Sequence, residues 1–234
     1  MSLYDKNYAQ NNNYANSEIL GEERYAGRIS SLIKQTYQLL TASLIAATAG
    51  AFVGMNFFSI SSPILFLVVE IALIFGMQFA TKSGSNTIAL VLLFAFTFIT
   101  GLSLGPILNF YIGAGAGNIV TQAFLMTAII FGGLSVYAMN TKTDFSSWGK
   151  VLFFALLAII VVSLLNYFFF SSPLIHIIVS AIAAFVFCGY ILFDTQNIIR
   201  GNYTSPIMAA VSLYLDIFNL FISLLNILGF LNRE

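Results

Sequence analysis

The sequence predicts an all-α integral membrane protein of seven transmembrane helices, and three observations lead there. The 234 residues are 59% hydrophobic and only 8% charged, with a mean hydropathy of +0.92, whereas a soluble domain carries about 25% charged residues. Apolar stretches recur at residues 32–54, 63–81, 86–108, 119–139, 148–170, 173–197 and 206–230. Each reaches or approaches the ~20 residues that cross a bilayer core as helix. The connections between them are short, so no extramembrane catalytic domain is expected. The formal charge is zero without a basic cluster, which removes the electrostatic term on which nucleic-acid binding depends. Cys188 is the single cysteine and lies inside an apolar segment, so neither an internal disulfide nor a thiolate metal cluster is expected. No cofactor is expected either.

Residues 1–21 are rich in Asn, Tyr, Ser and Gln without an apolar run, which predicts a disordered polar tail before a membrane domain at 22–234. The basic start and adjoining apolar core of a cleaved signal peptide are missing, so the first apolar segment is expected to stay in the protein. Glu22, Glu23, Arg24, Arg28 and Lys34 surround Tyr25, Ile29 and Leu32, the pattern of a helix that begins in the interface as a solvated lead-in. Pro63, Pro173 and Pro206 open later helices, where the missing N–H costs nothing, and Pro106 lies near the end of the third. Ala46, Gly50 and Gly54, and likewise Gly101 and Gly105, recur every fourth residue, a spacing that lets helix backbones pack closely. The run Gly113-Ala114-Gly115-Ala116-Gly117 lacks the preceding strand and the Lys-Ser/Thr of a phosphate loop and reads as a turn. Trp148 and Tyr167 fall near span ends as interfacial anchors. His176, the only histidine, has no second ligand spaced for a metal and reads as an interfacial hydrogen-bonding group.

Charge asymmetry predicts orientation. Lys6, Arg24, Arg28 and Lys34 precede or open the first span; Lys82, Lys142, Lys150 and Arg200 flank alternate connections. With seven spans, eight of the nine basic residues share one side and only Arg233 lies opposite, so the amino terminus is expected in the cytoplasm and the carboxyl terminus outside.

Two carboxylates inside the last two spans, Asp194 and Asp216, call for an explanation, because an ionised Asp at mid-membrane costs about 2.5–3.5 kcal/mol even on a lenient scale. Ser212, Asp216, Asn219, Ser223 and Asn226 follow at steps of four and three and share one helix face. Lipid cannot satisfy that face, so the last helix is expected at the centre of the bundle. A helical rise of about 1.5 Å per residue brings Asp194 and Asp216 to depths that ordinary tilts can match. Two carboxylates that meet cannot readily both ionise, so the pair should hold one proton between them and act as a pH sensor. Glu70 in the second span adds a third intramembrane carboxylate, expected to lie on the opposite side of the bundle as part of a cation path.

The segments Gly101-Leu102-Ser103-Leu104-Gly105-Pro106-Ile107-Leu108, Gly189-Tyr190-Ile191-Leu192-Phe193-Asp194-Thr195-Gln196 and Tyr214-Leu215-Asp216-Ile217-Phe218-Asn219-Leu220-Phe221 together resemble the motifs of the Bax inhibitor family, in its bacterial form. The resemblance runs from about Arg24 to Phe230. It implies two layers of three helices around a central seventh helix, a pH-sensitive calcium leak, a counterpart for Glu70, and location in the bacterial inner membrane. A bacterial branch is associated with modulation of a membrane-anchored AAA protease, which gives the alternative of a non-conducting regulator that binds another membrane protein. Some members carry arginines low on the second helix and on the last helix; Thr81 or Lys82 and Asn226 stand there instead, and whether these replace the arginines in a latch is left open by the resemblance.

Calcium takes several hard oxygen ligands. Asp194 and Asp216, with Glu70, Ser212, Asn219, Ser223 and Asn226, offer weak, transient coordination suited to a leak. Intramembrane aspartyl proteases also place two aspartates on neighbouring helices, but their Gly-x-Gly-Asp motif is missing before Asp194 and Asp216. No enzymatic activity is expected. The expected partners are the bilayer, protons, calcium and, in the alternative, a membrane protein docked on the small-residue faces.

Overall fold

A computed structural model describes residues 3–57 and 63–232. Seven helices are long and apolar enough to cross a membrane, and the described residues contain no strand. In order they are α1 (Leu3–Phe57), α2 (Pro63–Lys82), α3 (Asn86–Gly113), α4 (Gly117–Asn140), α5 (Trp148–Leu165), α6 (Pro173–Ile199) and α7 (Pro206–Leu231). The last turn of the fifth span, Asn166–Phe170, is π-helical. α1 runs back to Leu3 through the segment predicted as a disordered tail, without a break at the predicted 21/22 boundary. Arg233, on which part of the orientation argument rests, lies outside the described residues.

Helix ends follow from local chemistry. Pro173 and Pro206 occupy first turns, and the side chains of Ser172 and Ser205 accept from the backbone N–H groups of Ile175 and Ile207 at 3.4 and 3.2 Å. The α5–α6 turn is closed by the buried Asn166, whose amide donates to the Ser172 carbonyl and accepts from the Ser172 N–H, at 3.1 and 2.9 Å.

α3 is longer than predicted. It continues five residues past Leu108, so the predicted connection at 109–118 shrinks to residues 114–116, with Gly115 at φ +76°. Pro106 therefore lies inside a helix, where it cannot donate to the carbonyl of Leu102. That carbonyl points at Gly54 of α1, occupying the place where a Cβ would stand. The carbonyls of Phe98 and Ala47 abut Gly50 and Gly101 in the same way. Side-chain-free backbones thus meet directly along α1 and α3, in the manner of Cα–H···O contacts between membrane helices.

α7 packs against α1, α3, α4 and α6, while α2 rests on α3 and α5 on α6. Ala209, Ala210, Leu213, Tyr214 and Leu220 of α7 are fully buried, as expected of a helix packed against four others. The outer helices α2 and α5 turn Phe75, Phe79, Phe153 and Phe154 outward, toward lipid rather than water. The polar stripe of α7 accordingly faces protein.

Candidate functional site: a buried aspartate pair and its surroundings

Asp194 comes from the last turns of α6 and Asp216 from the middle of α7, and the two carboxyls meet side chain to side chain. Relative exposure is 6% for Asp194 and 3% for Asp216, so neither is solvated. The described ion pairs consist of Arg200 with Asp144, and no cation balances the aspartates. Oδ1 of Asp194 accepts from the Tyr203 hydroxyl at 3.0 Å, whereas Oδ2 of Asp216 is buried without a hydrogen-bond partner. A buried carboxylate left this bare is costly, and a proton held between the two groups removes most of the cost.

Ser212 joins the pair through Tyr203, whose hydroxyl lies 2.9 Å from its Oγ. The other predicted pathway residues divide. Asn219 donates to the carbonyl of Leu215 and Ser223 to that of Asn219, both at 2.7 Å, so both amide and hydroxyl donors are used within α7. Asn226 reaches across to Ser180 Oγ on α6 at 3.4 Å. Glu70 belongs to a separate cluster: its Oε1 lies 3.4 Å from Ser103 Oγ, which also donates to the Thr100 carbonyl, and Thr100 Oγ1 meets the Tyr214 hydroxyl. The carboxylates therefore form one pair and one singleton, and among the described residues no three His, Cys, Asp or Glu side chains are grouped to hold a metal ion.

Three residues escaped the sequence reading. Tyr203 sits in the α6–α7 connection, where an aromatic within a polar run was the available signal. Gln196 is two residues past Asp194; its Oε1 accepts from Phe145 N–H at 2.9 Å and its Nε2 donates to the Thr143 carbonyl at 2.6 Å. It clamps the α4–α5 connection onto α6, beside the Arg200–Asp144 ion pair at 2.6 Å. The third is Tyr37 of α1, which faces Ser135 of α4 and Thr195 of α6; the hydroxyls of all three are buried without a partner. Nothing in the periodicity of α1 distinguished that tyrosine from an interfacial anchor.

The family profile described as "Inhibitor of apoptosis-promoting Bax1" matches residues 29–233, which takes in every element of this site. The chain belongs to the Bax inhibitor family. A protein of Campylobacter jejuni is 49% identical over 241 residues that cover all of both chains, and one of Helicobacter pylori is 43% identical over 98% of this chain and 97% of its own. A relative from Escherichia coli K12 named "Modulator of FtsH protease YccA" is 36% identical over 87% of this chain and 91% of its own; the corresponding protein of a second E. coli strain is named "Inner membrane protein YccA". As a member of this family the chain is a multi-pass membrane protein, and Asp194 and Asp216 both lie within the matched residues.

Proposed function

We propose that this family member is a pH-sensitive calcium leak of the inner membrane, without enzymatic activity, gated by the Asp194–Asp216 pair. The observation that carries the reading is the meeting of two buried carboxyls with no cation beside them. Such a pair holds one proton; once it is lost, two charges ~4 Å apart repel by about 4 kcal/mol at an effective dielectric near 20. A few kcal/mol moves a two-state helix equilibrium from mostly one form to mostly the other. α6 and α7 then separate, and calcium passes through transient oxygen contacts with Asp216, Asp194, Ser212 and the carbonyl oxygens of Asn219 and Asn226, with Glu70 at the other end of the path. The site in its paired state is too dry and too short of ligands for a tight calcium complex.

Calcium flux into dye-loaded liposomes tests this. The purified protein should pass calcium, more at the alkaline end of pH 5 to 8, and Asp216→Asn should flatten that dependence. Flux equal to that of empty liposomes, with the protein folded, would falsify the leak. A second reading, a regulator that binds a membrane-anchored protease, is favoured by the 36% identity to a relative named as a modulator of FtsH protease. It gains from a null result in the same assay.

A further inference from the structure

Asp194 lies in the last turns of α6, toward the end of the bundle that carries Arg200, yet both it and Asp216 are buried. The side chain of the α6–α7 connection that reaches the pair is Tyr203. Its hydroxyl bridges Asp194 of α6, 3.0 Å away, and Ser212 of α7, 2.9 Å away, and its ring is half-buried against the core. Burial, and after it the Asp194 carboxyl beside it, pushes the Tyr203 phenol up from its ordinary value, so it remains a donor at every physiological pH. Two open clefts flank the connection that carries it. One, of about 600 Å³, is lined by Tyr25, Ile29, Lys34 and Ile199; the other, of about 400 Å³, by Gln35, Gln38, Asn86, Ser205 and Ile207.

The connection is held from two sides. Tyr25 of α1 donates to the carbonyl of Arg200 at 3.3 Å, and Gly201, at φ +70°, is packed under Ile29 so closely that a Cβ would collide with it. From the other side, the Arg200 guanidinium is paired with Asp144. Glycine at positive φ is the position in this connection that can change its backbone angles at least cost.

We propose that Tyr203 is the gate residue of the aspartate pair: its side chain is the lid between the pair and water, and the 201–205 connection swings on Gly201 when the site opens. The α1 lead-in and the α4–α5 connection hold that lid shut from either side. The inference rests on the reading of the pair as the gated site, but its test does not depend on calcium.

In full-length protein with Cys188→Ser, the thiol supplied by Ser212→Cys lies under the lid and reports water access through its reaction with a charged, membrane-impermeant methanethiosulfonate. Reaction should be slow with Tyr203 in place, about tenfold faster with Tyr203→Ala and intermediate with Tyr203→Phe, as expected when hydrogen bonds holding a closed state are lost. Arg200→Gln, which loosens the hold without touching the lid, should raise the rate several-fold and serves if Tyr203→Ala does not fold. A thiol that already reacts fast beneath Tyr203, or a rate unchanged in the folded variants, overturns the proposal whether or not the protein conducts calcium.

Discussion

Gly101 has no room for any side chain, because the backbone of Ala47 occupies the space where its Cβ would be. A flexible neighbour could yield; a helix backbone cannot. Gly101→Val should therefore force α1 and α3 apart and destabilise the protein by about 3 kcal/mol or more, at or beyond the usual range for overpacking, measured as a lowered unfolding midpoint in detergent. Gly132→Ala on α4, where a Cβ meets nothing, is the control that should leave the midpoint unchanged. The fourfold spacing of Gly101 and Gly105 was readable in the sequence, because a membrane helix that packs closely must remove side chains at helical period. That Gly54 accommodates the Leu102 carbonyl freed by Pro106 was not: the contact joins residues 48 positions apart, and neither helix's pattern alone records it.

At the scale of elements, the connection between α4 and α5 and the end of α6 form one unit, tied by Gln196 and by Arg200–Asp144. The Asp144 carboxyl is lowered to about 2, chiefly by the Ser146 backbone N–H, then by the Ser146 side chain and by Arg200. A carboxylate whose folded value is depressed contributes above its ordinary range, near 4, and the contribution fades as pH falls through about 2. The tie should therefore stay closed throughout pH 5 to 8. Spin-label distances between Ser147 and Asn197 should be constant over that interval and lengthen only toward pH 2, with no such step in Arg200→Gln. A step between pH 5 and 8 would mean that this connection moves with the aspartate pair. Sequence reading located both helices but missed the tie, since Gln196 and Phe145 bond across 51 positions and a connection's backbone partners leave no periodic trace. The meeting of Asp194 and Asp216 was legible for the opposite reason: charge in lipid has few permissible places, and two adjacent helices offer a shared one.

For the molecule as a whole, seven helices with short connections send successive connections to opposite faces, and the basic residues concentrate at the end that carries Tyr203. A reporter active only outside the cytoplasm should be silent when inserted at Lys142 and active when fused after Glu234; the reverse pattern would turn the bundle over, and the lid with it. The span count was legible from hydropathy, whereas the length of α3 was not, because Pro106 and Asn109 imitate the end of a helix that in fact continues to Gly113. The backbone-to-backbone seam of α1 and α3 divides the bundle mechanically. Interlocked carbonyls and glycines resist sliding and rotation, so under the proposed gating these two helices make a stator and the motion falls to α6, α7 and the connection between them. A molecular ruler fixed across α1 and α3 should read one length in every state of the protein, while one fixed across α6 and α7 records the stroke.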